Sequence, residues 1–144
     1  MWQKVSKAIT IGASVAALSA CATLEGKPQH VVGLWGGPHA AANFSGGLAD
    51  LQFDCASGTI DDPIMITEVG PFSVKGTYRI GAPGPIKVGQ FFKSEEAVYS
   101  GEVAKGAAKN SPRAMTLSVA LEDGTALGPF TLTEGAPPQI TRCL

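Results

Sequence analysis

Short runs of residues that alternate between apolar and polar, separated by glycines and prolines, restrict the possible folds of this chain most strongly. Ala49, Leu51 and Phe53 alternate with polar residues, and similar runs occur at 72–79 and 114–121. A period of two is typical of β-strands with one buried face. The 18 glycines and 10 prolines end these runs at short intervals, and few windows have a helical period longer than two turns. The sequence therefore predicts an all-β fold.

The alternation predicts eight or nine strands that follow one another along the chain. Asp123-Gly124 indicates a hairpin turn because both residue types tolerate positive φ. A meander with this many strands usually closes into a barrel, which removes the unpaired edges. We therefore expect an antiparallel barrel of about eight strands, with inward glycines at Gly76 and Gly101 that permit coiling of its wall, and a two-sheet β-sandwich as the alternative. The predicted strands are 31–36, 40–44, 49–55, 64–67, 72–79, 97–103, 114–121, 126–134 and 139–144.

The first 20 residues have the organisation of a secretory signal peptide. Lys4 and Lys7 precede an apolar run of about 13 residues that ends in small residues. That run is too short to cross the hydrocarbon core of a bilayer, which takes about 20 residues. Residues 21–29 are small and polar and predict a tether, and residues 30–144 have the length of a single domain.

The segment Leu18-Ser19-Ala20-Cys21 resembles the lipobox of bacterial lipoproteins. The resemblance implies that Cys21 is lipidated, for example with palmitate, and becomes the first residue of the processed chain. Two or three acyl chains anchor a protein stably where a single chain is marginal, so a membrane is an expected partner. Ala22 follows where a retention signal would place Asp, which by the same resemblance implies the outer membrane, with the domain facing the periplasm.

If Cys21 carries the lipid, Cys55 and Cys143 are the two cysteines that are left. Two thiols in an oxidising compartment are expected to pair, which predicts a disulfide that closes a loop of 89 residues. The loop-entropy model gives about 4–5 kcal/mol of stabilisation for such a loop, as an upper estimate. The alternative is a pair of free buried thiols.

Charge and motifs argue against several classes of function. Residues 21–144 carry 9 basic and 12 acidic side chains, a net charge of −3, without the concentrated basic face that nucleic-acid binding requires. The two histidines, His30 and His39, are too few for a metal centre, and we expect no cofactor. The chain has neither a Gly-x-Ser-x-Gly nor a Ser-x-x-Lys motif. We therefore expect a protein that is not an enzyme.

Gly33-Leu34-Trp35 is a Gly-x-Trp element that resembles the one closing an end of lipocalin-like and avidin-like barrels. A buried plug or core position is the main interpretation of Trp35, and contact with a ligand is the alternative. His39 follows a Gly-Gly-Pro turn and is expected beside a barrel mouth. Trp35 and His39 are therefore the candidate residues for contact with a partner.

Three motifs extend along most of the chain. The sequence reads Trp-Gly-Gly at 35–37, Asp-Cys-Ala-x-Gly-Thr-Ile at 54–60 and Arg-Cys-Leu at 142–144. This pattern resembles a group of small bacterial secreted or lipid-anchored proteins with no assigned activity. The resemblance supports the two-cysteine framework and the β-fold, and it implies no catalytic or binding residue.

Together these features predict a lipid-anchored, non-enzymatic β-barrel of the cell envelope that acts as a binding or protein-interaction module. Inward side chains such as Phe53, Tyr78 and Tyr99 are expected to fill the barrel. Contact with an envelope protein through the loops is therefore favoured over carriage of a small apolar ligand. A structural or assembly accessory of the outer membrane is a further alternative, and we expect a monomer.

Overall fold

The computed structural model describes residues 27–81, 88–89 and 93–143, and this part of the chain is built of β-strands. It contains no helix long and apolar enough to span a membrane. The predictions on the signal peptide and on Cys21 lie outside the described residues. The strands are β1 (Gln29–His30), β2 (Gly33–Gly37), β3 (Ala40–Ser45), β4 (Leu48–Phe53), β5 (Ala56–Ile60), β6 (Met65–Ile66), β7 (Gly70–Ile80), β8 (Ser94–Ala104), β9 (Ala114–Leu121) and β10 (Ala126–Glu134).

Eight of the strands form a closed barrel in which every neighbouring pair is antiparallel. The strand order is β10-β2-β3-β4-β5-β7-β8-β9, and β1 and β6 form a separate two-stranded sheet. The barrel closes where β10 pairs with β2 through Thr133–Gly36 and Glu134–Trp35. This architecture confirms the predicted all-β barrel of about eight strands, and the alternative of an open sandwich is wrong.

The turn chemistry around Cys55 and the C-terminal prolines explain where the strand prediction was wrong. The run 49–55 is not one strand, because β4 ends at Phe53 and two residues turn the chain into β5. Cys55, predicted to face the core, lies in this turn with a φ of 59° and is exposed. The predicted strand 139–144 is absent from the described residues, where Gln139 makes an isolated bridge to Pro38. A closed barrel leaves no free edge for a further strand.

The up-and-down order of the strands gives the barrel two different ends. The open end carries the β2–β3, β4–β5 and β9–β10 turns, the connection from β7 to β8 and the C-terminal tail. The closed end carries β1, the β3–β4 turn and the connections from β5 through β6 to β7 and from β8 to β9. Val31, Ile64 and Ile66 are buried against the barrel core, so the β1–β6 sheet covers the closed end.

Large side chains fill the interior of the barrel between the two ends. Tyr99, at the centre of β8, has no exposed surface and reaches across to β5 and β7. A Cβ atom at Gly58 would overlap the Tyr99 hydroxyl group, which accounts for glycine at that position. The hydroxyl group donates a hydrogen bond to the carbonyl oxygen of Thr77 at 2.5 Å, and burial raises the pKa of Tyr99. The other large, fully buried side chains are Trp35, Leu51, Ile60, Val103, Met115, Leu117, Val119 and Leu132.

Candidate functional site

A pocket of about 620 Å³ lies at the open end of the barrel. Its walls come from the β2–β3 turn, the ends of β4 and β7, and the first half of β10, which are far apart in sequence. These segments meet around one mouth because barrel closure brings β10 beside β2. The lining residues are Pro38, His39, Phe53, Asp54, Tyr78 and residues 127–131.

Three aromatic side chains, which we call the aromatic cluster, line the pocket and contact one another. The ring centroid of Phe53 lies 5.5 Å from that of Tyr78 and 5.3 Å from that of Phe130. Tilted pairs at such distances contribute about 0.5–1.5 kcal/mol each beyond their buried area. Burial raises the pKa of Tyr78. The aromatic cluster therefore gives the pocket an uncharged, largely apolar surface.

β10 departs from regular pairing where it lines the pocket. Its register with β9 shifts between Leu127 and Phe130. Gly128 has a φ of 97°, and Pro129 has no N–H group to donate, so the ladder cannot continue regularly through these two residues. Leu127 and Phe130 remain half-buried against the core. This irregular segment forms one wall of the pocket.

A histidine and a carboxylate lie at the rim of the pocket. His39, which has a φ of 67° in the β2–β3 turn, is hydrogen-bonded through Nδ1 to Oδ2 of Asp54. The His39 side chain is 64% exposed, so it remains accessible to a partner. Asp54 Oδ1 accepts a hydrogen bond from the amide of Thr141 at 2.7 Å. That bond is the largest cause of the lowered pKa of Asp54, and the hydrogen bond and charge of His39 lower this pKa further.

The C-terminal tail is fastened to the same rim. The amide of His39 donates a hydrogen bond to the carbonyl oxygen of Gln139 at 2.9 Å. The amide of Gln139 donates a hydrogen bond to the carbonyl oxygen of Gly37 at 3.2 Å. Cys55 and Cys143 lie at disulfide distance, with Cα atoms 5.1 Å apart and a sequence separation of 88. The cysteine pair joins the tail to the β4–β5 turn. The two turns and the tail therefore form one connected unit beside the pocket.

The structure separates the two residues predicted as candidate partner contacts. His39 lies at the pocket rim, whereas Trp35 has no exposed surface. The indole N–H of Trp35 donates to the carbonyl oxygen of Val32 at 3.2 Å, and the Arg113 guanidinium lies 5.4 Å from the ring centroid. Arg113 also donates to Glu134 at 2.6 Å. Trp35 therefore has the core role that was its main interpretation, and it offers no surface to a partner.

Sequence reasoning missed most of the residues that line the pocket. The strand pattern assigns Asp54 and Tyr78 to the outward and inward faces of two separate strands, and nothing in the local pattern shows that these strand ends meet. Gly128-Pro129, inside the predicted strand 126–134, is the one usable signal. A proline within a strand indicates an edge or a bulge, and irregular strand segments often line sites.

The chemistry of the pocket suits binding. Its ionisable side chains are one imidazole, one carboxylate and one phenol, and Ser, Cys and Lys are not among the lining residues. Within the described ranges, no group of three His, Cys, Asp or Glu side chains is placed to hold a metal ion. An apolar group that carries a polar atom fits this pocket, because the aromatic cluster can contact the apolar part while His39 hydrogen-bonds the polar atom. Comparisons of the chain with protein-family models, with curated proteins and with solved structures found no match.

Proposed function

We propose that this protein is a non-enzymatic binding module of the bacterial cell envelope, anchored by a lipid on Cys21, whose open end receives an apolar side chain of an envelope protein. The pocket of about 620 Å³, with its aromatic cluster at the mouth of a filled barrel, is the observation that carries the proposal. The signal peptide and the lipobox-like segment before Cys21 support the location in the envelope.

The filled interior favours a protein partner over a small carried ligand. A small-molecule site typically buries about 70–90% of its ligand, and a carrier barrel does so inside its wall. In this barrel Tyr99, Leu117 and Leu132 occupy the interior with no exposed surface. A side chain that projects from another protein needs only a pocket at the mouth, because the surrounding rim supplies the rest of the contact area.

The rim of the pocket is held in place before any partner arrives. Asp54 is bonded both to His39 and to the amide of Thr141, and the cysteine pair fastens the tail that carries Thr141. Groups that are already ordered lose less conformational entropy on binding. His39 is therefore suited to orient a polar atom of the partner.

We assign the pair of His39 and Asp54 to recognition and not to catalysis. His39 and Asp54 resemble the base and orienting acid of a hydrolase, but such a pair acts through a nucleophile within hydrogen-bond reach. Ser and Cys are not among the residues that line the pocket, whose hydroxyl groups are those of Tyr78 and Thr131, and the nearby Cys55 is paired with Cys143. The same two side chains serve recognition when they hydrogen-bond a partner.

Site-specific photo-crosslinking in living bacteria tests the proposal. The full-length chain carries p-benzoylphenylalanine either at Thr131, which lines the pocket, or at Thr116, its exposed cross-strand partner outside the pocket. We expect a protein adduct of defined mass from position 131 and not from position 116. Equal adducts from both positions, or none from either, would contradict the proposal.

A second substitution distinguishes a partner that contacts the pocket from one that only lies near position 131. Leu127→Ala removes an apolar wall of the pocket and should lower the adduct yield at position 131 severalfold. Val74→Ala is the matched control, because Val74 is also half-buried against the core but lies outside the pocket, and it should leave the yield unchanged. An adduct formed only with a small molecule would contradict the proposal of a protein partner and would support carriage of a small ligand instead.

A further inference from the structure

Large apolar side chains that are exposed to solvent concentrate at the closed end of the barrel. Among the described residues with such exposure, Ile80 and Val88 belong to the open end and Val98 to the barrel wall. The others lie either in elements of the closed end or within the first two residues of β2 and β4, the two strands that start there, and they form what we call the apolar rim. The apolar rim consists of Val32, Leu34, Leu48, Met65 and Val69.

The exposure of the apolar rim follows from strand geometry. Met65 is 46% exposed and pairs with His30, while Ile64 and Ile66 on either side of it are buried. Because successive residues of a strand point to opposite faces, a β1–β6 sheet that covers the barrel core must present Met65 outward. Leu48, the first residue of β4 after the β3–β4 turn, is 55% exposed. Within the described part of the chain, these side chains therefore remain exposed to solvent.

The N-terminal chain leads from the same end toward the expected lipid. β1 belongs to the closed end and begins at Gln29, and eight peptide units join Gln29 to Cys21. A fully extended chain spans at most about 3.6 Å per residue, so this connection reaches at most about 29 Å. A lipid on Cys21 would therefore keep the closed end, and with it the apolar rim, near the bilayer surface.

The charges of the closed end favour apolar insertion over electrostatic attraction. The β8–β9 connection carries Lys105, Lys109 and Arg113 without an acidic residue. Lys105 lies 3.8 Å from Glu68, and Arg113 is bonded to Glu134, so part of this positive charge is already compensated. Contact with a membrane should therefore change little with salt concentration, because screening acts mainly on unpaired surface charge.

We propose that the closed end rests on the bilayer surface, with the apolar rim inserted at the boundary between headgroups and acyl chains. Apolar side chains held at one end of an anchored domain bury in this region without any membrane-spanning segment. This inference rests on the proposed lipid at Cys21, which brings the domain to the membrane. It adds a fixed orientation, in which the pocket at the open end faces away from the bilayer.

Depth-dependent quenching of tryptophan tests this orientation. The full chain, purified from bacterial membranes with its lipid, is reconstituted in vesicles of phosphatidylethanolamine and phosphatidylglycerol with brominated acyl chains. In the Met65→Trp variant, the fluorescence of the introduced tryptophan should fall by at least half relative to the same variant in unbrominated vesicles. Val98→Trp is the matched control, because Val98 is 39% exposed on the barrel wall against 46% for Met65, and it should be unaffected. The protein without these substitutions gives the background from Trp35.

The possible outcomes separate this inference from the anchoring on which it depends. If the mass of the purified protein shows no acyl chains, the anchoring itself fails. If the protein is acylated and vesicle-bound but Met65→Trp and Val98→Trp are quenched equally, or neither is quenched, the proposed orientation is wrong. If Met65→Trp is shielded from aqueous iodide in native envelopes but is not quenched by brominated lipid, a protein covers the apolar rim and the orientation is again wrong.

Discussion

The two ends of the barrel are built from the turns of the same strands, yet they differ in what they present. The closed end adds the β1–β6 sheet, buries Val31 and Ile64, and exposes the apolar rim around them. At the open end the aromatic cluster lines a pocket, with Phe53 and Tyr78 buried and Phe130 half-buried, and an ordered polar rim surrounds His39. A meander barrel can therefore assign attachment and recognition to opposite ends, because alternate turns always lie at opposite ends.

Trp35→Ala should have the largest effect on stability. Removal of a fully buried indole creates a cavity near the closed end, and we expect a loss of about 3–5 kcal/mol in the free energy of unfolding. Phe130→Ala at the open end should cost about 1–2 kcal/mol, because its side chain is only half-buried. Urea unfolding followed by circular dichroism measures both values. Equal losses would break the contrast between a packed closed end and an accessible open end.

Cys143→Ser should destabilise the protein by about 2–4 kcal/mol and affect the open end first. Loss of the cross-link frees the tail, so the amide of Thr141 should exchange its hydrogen faster. The amide of Val31, which donates to Ile64 at 3.0 Å at the closed end, is the internal control and should keep more of its protection. Hydrogen exchange followed by NMR measures both sites. An unchanged Thr141 amide would mean that the tail is held without the cysteine pair.

Tyr99→Phe should cost about 1 kcal/mol, because the carbonyl oxygen of Thr77 loses its hydrogen bond from the tyrosine hydroxyl group while the ring remains. Tyr99 lies between the two ends, so the substitution should disturb neither end more than the other. Chemical-shift changes should reach the nearest residues and remain small at His39 and at Met65. Large changes confined to one end would show that Tyr99 belongs to that end.

Asp54→Asn should have the smallest effect, and its size should depend on pH. The lowered pKa of Asp54 in the folded state means that its carboxylate stabilises the fold above the unfolded value, which is about 3.9. This contribution is lost as the pH falls through the lower folded value. The unfolding midpoints of the two proteins should therefore differ near pH 6 and converge once the pH has fallen below the folded-state pKa of Asp54. Midpoints that run in parallel over this range would contradict the role given to Asp54.

The regular part of the barrel was predictable from the sequence because one face of each strand is buried. Strands β9 and β10 have the predicted bounds, and β9 alternates between buried and more exposed residues along its whole length. β5 escaped prediction because the turn before it uses Cys55 at a positive φ, a conformation that glycine or asparagine would have indicated more clearly. A regular strand can be predicted from its local pattern of apolar and polar residues. The β4–β5 turn cannot, because its conformation depends on the distant C-terminal tail that is joined to it through Cys143.

The candidate site was only partly predictable. His39 was expected to be a turn residue because it follows Gly-Gly-Pro, and it lies in the β2–β3 turn at the pocket rim. The contribution of Asp54 depends on the amide of Thr141, which is distant in sequence, and that of Tyr78 depends on how the barrel closes. Neither relation leaves a local signature. The apolar rim escaped prediction for the same reason, since the outward position of Met65 follows from pairing with β1.

Tyr99 has a consequence for how such a protein can change. Its ring fits where Gly58 carries no side chain, so the middle of the barrel is a solid partition between the ends. Distant sites that share no partners contribute nearly additively to stability. Loops at the mouth can therefore be exchanged for others, by mutation or by engineering, while the closed end keeps its shape. Because of this partition, new binding specificities can be selected at the open end without changes to the closed end.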